Sequence, residues 1–309
     1  MNNFLITDKL MPDNIKGVSL ALGFFDGLHR GHARVLKSAL VHAKKLGTKS
    51  VVLTFKNHPM GILYGLKEEF ITIPSERLGL FKRIGFDAVI MADFTKEVAE
   101  MSAQEYFEKV IMNLEPKSIS IGYNHRFGAK KNGDCDFLKK VASERGIILD
   151  VASKVVIDNN LAVSSTSIKN VIKAGAVDVA AQLLIKPYFV RGKVIKGMQR
   201  GRQLGFPTAN IEFQKTKLVP KFGVYAGKAV VGGVEYDAVA NVGLRPTFND
   251  IEKPLTEINI LNFNKSLYDE IIEFRFLKMI REEARFFSVE ALIEQIILDR
   301  NQTIDYLKK

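Results

Sequence analysis

Apolar residues recur along the chain with two different periods, and the change between them divides it. Residues 17–23 (GVSLALG) form a short apolar run ending in glycine. In 32–47, Val35, Leu36, Ala39, Leu40 and Ala43 stand at helical spacing, and 49–55 (KSVVLTF) is β-branched and apolar, like a buried strand. The alternation continues with a helix over 76–85, a strand over 87–92, a helix over 102–114 and a strand over 118–123. This predicts a doubly wound, Rossmann-like parallel sheet with helices on both faces and a ligand at the carboxyl ends of its strands. A helix over 169–184 follows. From about Pro187 the pattern shortens to strands over 188–195, 223–231, 234–243 and 255–263, separated by glycine, proline and asparagine turns. Helical spacing returns only over 288–307, so the second half predicts a mainly antiparallel β-barrel with a C-terminal helix. The expected domains are 1–184 and 185–309.

Composition agrees with this division. A chain of 309 residues suits two domains, and 47% hydrophobic with 26% charged residues is ordinary for globular proteins. No apolar run approaches the ~18–20 residues that span a bilayer, and MNNFLITDKL lacks the pattern of a signal peptide. The single cysteine, Cys135, excludes an intramolecular disulfide and a cysteine-built zinc site. A cytoplasmic protein with no membrane partner is expected, its oligomeric state left open, a homo-oligomer included. The net charge of +11 is spread as +6 over 1–184 and +5 over 185–309, with no basic tail. Such an even spread suits phosphorylated metabolites better than nucleic acid. All five histidines (His29, His32, His42, His58, His125) precede residue 126, so chemistry in the second half needs another base.

In the first half, Gly23-Phe24-Phe25-Asp26-Gly27-Leu28-His29-Arg30-Gly31-His32 sits where a strand gives way to a helix. His29 and His32, with Gly31 beside them, fall near a helix N-terminus, a natural anion site. Imidazoles there can donate hydrogen bonds to a pentavalent phosphorus and to departing pyrophosphate; capping and packing of the helix is the plainer alternative. Gly122 to Gly128 (GYNHRFG) brings Asn124, His125 and Arg126 to a strand end, or is simply a polar turn. Ser164, Ser165 and Thr166, with Lys169 one turn on, open a helix as N-caps, as triphosphate ligands, or as both.

In the second half, Gly192, Gly197, Gly201 and Gly205 are interleaved with Lys193, Lys196, Arg200 and Arg202. The glycines let backbone amides approach phosphates, or are barrel turns; a Walker A loop is absent. In Gly-Phe-Pro-Thr-Ala-Asn, Thr208 and Asn210 offer two neutral oxygens two residues apart, as a hard Mg²⁺ sharing ATP oxygens requires. Glu257 lies on an otherwise apolar strand, where a carboxylate is unexpected unless paired or functional.

The G-x-F-D-G-x-H-x-G-H signature, the R-F-G segment and the S-S-T element together resemble the prokaryotic bifunctional riboflavin kinase/FMN adenylyltransferase (FAD synthetase) family. So do Phe222 to Ala226, Asn241 to Phe248, Thr256 to Ile258 and Ile280 to Phe286. The resemblance runs from residue 17 to about 300. It implies an N-terminal nucleotidyltransferase domain that transfers AMP from ATP to FMN with His29 and His32 as catalytic residues. Gly23, Phe25, Asp26, Gly31, Asn124, Arg126, Ser165, Thr166 and Lys169 would contact its nucleotide. It also implies a riboflavin kinase domain in which Glu257 accepts the ribityl 5′-hydroxyl proton. There Gly192, Lys193, Gly197, Gly201 and Gly205 would contact ATP, Thr208 and Asn210 Mg²⁺, and Phe206, Gly223, Val224, Tyr225 and Arg281 the flavin. Substrates and products are then riboflavin, FMN, FAD and ATP. The sequence departs from the family at Phe24, where a small or polar residue is usual, and at Lys169, where arginine is; lysine keeps the charge without the planar fork. Retention of one activity only, the kinase first, and a flavin- or nucleotide-binding regulator without turnover are the alternatives.

Overall fold

The computed structural model describes residues 4–157, 161–197, 200–245 and 253–308. Its contacts divide into two compact units, one ending at Ser165 and the other beginning at Thr166. The first unit holds six parallel strands: β1 (Leu5–Thr7), β2 (Val18–Leu22), β3 (Lys49–Phe55), β4 (Ala88–Ala92), β5 (Ser118–Gly122) and β6 (Ile148–Ala152). Their order is β1-β4-β3-β2-β5-β6. Ala21 of β2 pairs with Val52 on one side and Ser120 on the other. The chain winds outward from β2 through β3 to β4, then restarts at β5 on the opposite flank, so the winding reverses between β2 and β5. β2 and β4 are buried at every position, which is why they read as unbroken apolar runs.

The helices of this unit are α1 (Arg30–Leu46), α2 (Pro59–Tyr64), α3 (Pro74–Ile84), α4 (Lys96–Glu100), α5 (Ala103–Tyr106) and α6 (Cys135–Glu144). α1 buries Val35, Leu36, Ala39 and Ala43, the face its spacing predicts. The expected helix over 102–114 is α-helical only in α5; it widens into a π turn over Phe107–Ile111 and tightens into a 3₁₀ turn over Met112–Leu114. That change of pitch keeps Phe107, Val110, Ile111 and Leu114 all in the core. A short ribbon, β7 (Val156–Ile157) and β8 (Leu161–Ala162), follows.

The expected helix over 169–184 is two, α7 (Ser165–Lys173) and α8 (Val177–Leu183), parted at Gly175, whose φ is +83°. Beyond them come β9 (Phe189–Lys193), α9 (Arg200–Gln203), β10 (Ala209–Glu212), β11 (Gly223–Val231), β12 (Val234–Arg245), β13 (Lys253–Ile260), β14 (Ile271–Glu282) and α10 (Val289–Leu307). The strands form an antiparallel sheet in the order β10-β13-β12-β11-β14-β9. Its two ends meet where the Ile195 N–H donates to the Asn210 carbonyl at 2.9 Å, which nearly closes a barrel. Tyr188, Tyr225, Phe274 and Phe276 pack together, mostly edge to face, in its core. α10 lies against the other face of the wall, with Ile304 beside Val224, Val239 and Leu261. Among the described residues no helix is long and apolar enough to cross a membrane.

Candidate active sites

The segments after β2 and after β5 leave neighbouring strands at the point where the winding reverses, the usual ligand position of such a sheet. In the first, Phe25 (φ +57°) and Leu28 (φ +45°) hold the left-handed conformation that bulky residues avoid. Asp26, 2% exposed, braces them: its Oδ1 accepts the Thr72 N–H at 2.9 Å. The Gly27 N–H donates to Thr72 Oγ1 at 2.8 Å, and Ser165 Oγ donates to the Asp26 carbonyl at 2.9 Å. The buried Phe25 ring meets His32 edge-on at 5.2 Å, and a Cβ on Gly23 would stand 2.8 Å from Phe25 Cζ.

His29 caps α1, its Nδ1 accepting the His32 N–H at 3.2 Å. The two imidazoles stack at 3.6 Å, and a Cβ on Gly31 would come within 3.0 Å of His29 Cε1. With Nδ1 an acceptor, neutral His29 carries its proton on Nε2, which is therefore a donor. Burial draws the His29 pKa down to about 4 against the opposing pull of Asp26. His32 is held well below its ordinary value by burial, then by His29 and Arg77. Both rings are neutral at pH 7 and supply hydrogen bonds rather than charge.

The cation behind them is Arg77 of α3, fully buried and not singled out in the sequence. Its Nη1 donates to the Phe24 carbonyl at 2.6 Å, and its Nη2 to the carbonyls of Phe55 and Lys56 at 3.0 and 3.2 Å. The guanidinium lies 4.6 Å over the Phe24 ring. Burial lowers its pKa to about 10, which leaves it charged at neutral pH. Phe24 thus packs between Arg77 and His58, whose ring meets it edge-on at 4.7 Å. On a helix, an arginine among polar neighbours reads as solvent-facing, so only the packed loop reveals it.

After β5, Asn124 and Arg126 are exposed, and Arg126 pairs with Asp134 at 3.1 Å. His125 is drawn down to about 4 by burial and then by Arg126. Thr166 and Lys169 follow Ser165 on α7, within the second unit.

Among the described residues of the barrel unit, two cavities adjoin the expected kinase residues. The larger, of about 680 Å³, is lined by Phe206, Thr208, Asn210, Val224, Glu257 and Arg281, with Gly201 and residues of α10. The smaller, of about 340 Å³, is lined by Gly197, Thr208, Asn210 and the Phe263–Tyr268 segment, which sequence reasoning did not single out. Thr208, Asn210 and Gly197 belong to both. Asn210 pairs in register with Glu257 across β10 and β13, so the two side chains leave the sheet on the same face. Asn210 is 5% exposed and its Oδ1 has no hydrogen-bond partner among the described residues. A Cβ on Gly197 would stand 2.5 Å from Asn210 Nδ2, so that glycine leaves room for the amide.

Five expected contacts line neither of these cavities. Lys193 pairs with Asp269 at 2.7 Å; Gly192 lies at the barrel seam against Ile211; Gly205 turns at φ +85°. Gly223 backs onto the Arg281 carbonyl, and Tyr225 is buried in the barrel with its hydroxyl donating to the Lys221 carbonyl. The side chains of Arg200, Arg202 and Arg245, and residues 246–248 of the Asn241 to Phe248 motif, lie outside the described residues.

Comparison with known proteins divides the chain in the same order. Residues 11–167 match the FAD synthetase family and residues 184–307 the riboflavin kinase family. A bifunctional riboflavin kinase/FMN adenylyltransferase of Listeria monocytogenes is 34% identical over 292 residues, 94% of this chain and 92% of that protein. Its counterpart in Bacillus subtilis is 33% identical over 93% of this chain and 92% of that one. The crystal structure of a macrolide-efflux protein from Streptococcus pneumoniae superposes with a TM-score of 0.87 at 30% identity, covering 97% of this chain and 98% of that one.

Proposed function

The chain belongs to the bifunctional riboflavin kinase/FMN adenylyltransferase family, and from that premise we propose how its residues divide the two reactions. It phosphorylates riboflavin with ATP to give FMN, and it transfers AMP from ATP to FMN to give FAD and pyrophosphate. We assign adenylyl transfer to residues 1–184 and phosphorylation to 185–309, a border that falls beside the start of the riboflavin kinase match at residue 184. Both reactions are assigned to the cytoplasm, in keeping with the single cysteine.

In the barrel, the observation that carries the reading is the wall shared by two cavities. The larger takes riboflavin, the smaller takes ATP, and the 5′-hydroxyl and γ-phosphate meet at Thr208 and Asn210. Glu257, opposite Asn210, accepts the hydroxyl proton as the new O–P bond forms and the β–γ bond breaks, releasing ADP. The orphaned Asn210 Oδ1 and the Thr208 hydroxyl fit Mg²⁺, which when bound neutralises charge on the ATP oxygens. Phe206, Val224 and Arg281 border the flavin.

In the parallel-sheet unit, the FMN phosphate attacks the α-phosphorus of ATP and pyrophosphate leaves. The neutral imidazoles of His29 and His32 donate to the crowded phosphorus and to the leaving group without taking part as nucleophiles. Phe25, Asp26, Gly23 and Gly31 hold those rings in place, and Asn124 and Arg126 stand on the neighbouring strand end. For Thr166 and Lys169 the support is the resemblance alone.

Incubation with riboflavin, ATP and Mg²⁺, with FMN and FAD separated by chromatography, tests both halves; formation of FMN without FAD would reject the adenylyl assignment. Replacing His29 and His32 together by alanine should lower FAD formation by orders of magnitude and leave FMN formation within about twofold, because the loss of transition-state donors is confined to one site. Equal loss of both products would make the histidines structural.

A further inference from the structure

Two consecutive residues of α10 grip opposite walls of the larger cavity. Asp299, 3% exposed, accepts from Arg281 Nε at 2.9 Å and from Arg281 Nη2 at 2.8 Å, a two-pronged ion pair. Gln295 Nε2 donates to Asp299 Oδ1 at 2.9 Å, and Arg281 Nη1 donates to the Glu282 carbonyl at 3.0 Å. Every nitrogen of that guanidinium is therefore engaged, and its orientation is set by α10. Arg300 turns to the other wall. Its Nη1 donates to Asn259 Oδ1 at 3.0 Å, and its guanidinium lies 5.4 Å over the Phe206 ring. Asn259 Nδ2 in turn donates to the Pro207 carbonyl at 2.8 Å. Asn259 stands two residues beyond Glu257 on β13, on the same side of the strand, and Pro207 immediately precedes Thr208.

We propose that Asp299 and Arg300 are positioning residues for riboflavin phosphorylation: Asp299 sets Arg281 against the flavin, and Arg300 sets Thr208 against ATP through Asn259 and the Pro207 carbonyl. The inference rests on the kinase reading above. Without Asp299, Arg281 regains its rotamers and keeps a charge with no buried partner. Without Arg300, the Asn259 amide keeps its bond to the Pro207 carbonyl but loses the donor on its oxygen, so the side chain that steadies the residue before Thr208 is held at one end instead of two.

The test uses the full chain, with FMN formation followed while riboflavin and Mg²⁺–ATP are varied separately. Asp299→Asn should raise the riboflavin KM roughly tenfold, the worth of a hydrogen bond to a charged group, with the Mg²⁺–ATP KM within about twofold. Asp299→Glu, which keeps the charge, should restore most of the difference. Arg300→Met, whose unbranched side chain keeps apolar packing over the Phe206 ring, should do the reverse, raising the Mg²⁺–ATP KM and sparing that of riboflavin. Asn259→Ala should match Arg300→Met, and the double variant should be no worse than either, as expected for one relay. FAD formation from supplied FMN reports that each variant is folded. Both KM values moving together in the single variants, or additive loss in the double one, would overturn the positioning roles. A wild-type chain that makes no FMN would overturn the kinase reading itself, and the proposal with it.

Discussion

In the assignment proposed above, Glu257 serves phosphorylation and the histidine pair adenylyl transfer, and each responds to a different measurement. Glu257→Gln keeps size and hydrogen bonding but cannot accept a proton at neutral pH. General-base catalysis contributes ~10²–10⁴-fold, so the kinase kcat should fall by about that factor while adenylylation of supplied FMN is unchanged. A kcat near normal would give the proton to another acceptor. The histidines also set a pH dependence of stability. In the fold His29 and His125 titrate at about 4 rather than 6.5, so between those values the unfolded chain binds protons that the native chain refuses. Stability is therefore full above pH 6.5 and falls on acidification, by about 1.4 kcal/mol per pH unit for each histidine once the pH is below 6.5. Lowered carboxylates such as Asp178 and Glu273 lose stability in the same direction only nearer pH 4, so the upper part of the window belongs to the histidines. Urea unfolding at pH 7 and pH 5 measures the slope, and His29→Gln should flatten it; an unaltered slope would mean that His29 is not held neutral by the fold. At this scale the motifs stand out in the sequence because glycine, histidine and closely spaced side-chain oxygens are rare together, and the structure brings Thr208 and Asn210 to both cavities while Gly192, Lys193, Gly205, Gly223 and Tyr225 line neither. Arg77 and Asp299 do not stand out, because their meaning comes from burial, and an arginine or aspartate on a helix looks the same in sequence whether it faces water or the core.

Elements were legible where one face meets the core and less so where local strain or edge position decides. The apolar runs of β2 and β4 and the stripe on α1 mark buried strands and an amphipathic helix unambiguously. The three-residue β1, and β6 with no fully buried residue, lie at the sheet edges and lack that signature. β14 is not among the strands the pattern predicts, although Ile272, Phe274 and Phe276 alternate with Glu273 and Arg275, because the alternation is lost in its second half. The segment after β5 shows how one element fixes another. Gly128 has φ +70°, and a Cβ there would lie 2.7 Å from the Ala103 backbone nitrogen at the start of α5. Gly128→Ala meets both the left-handed penalty of ~1–2 kcal/mol and a backbone collision that no rotamer relieves. The loop bearing Asn124 and Arg126 must then lift from α5. FAD formation should drop at least tenfold while FMN formation holds, as read by the same chromatographic assay; unchanged FAD yield would show that this loop does not contact the nucleotide.

For the whole molecule, the change of hydrophobic period places the border at 184/185, whereas contacts divide it after Ser165. The difference is α7 and α8, which the helical period groups with the helices before them. In the structure both join the barrel: Asp178 pairs with Lys278 of β14 at 2.7 Å, and the Lys221 N–H donates to the Ile172 carbonyl at 3.4 Å. A Cβ on Gly175 would stand 2.3 Å from Met279 Sδ, so a side chain there would have to displace that methionine. Two fragments separate what catalysis needs from what stability needs. A chain beginning at Ile185 keeps both cavities, since all of their lining residues follow Val190, and should convert riboflavin to FMN without making FAD. A chain beginning at Thr166 should do the same but unfold at a higher temperature, because it retains the buried Ile168, Ile172, Val177, Ala180 and Leu183. Each fully buried aliphatic side chain stabilises by about 1.5–3 kcal/mol, so losing several must lower Tm by many degrees in a fragment this small. Equal melting temperatures would show that the two helices belong energetically to the first half, as the period alone suggests. A folded Thr166 fragment without kinase activity would show that phosphorylation depends on the parallel-sheet unit, and the assignment of one reaction to each half would fall.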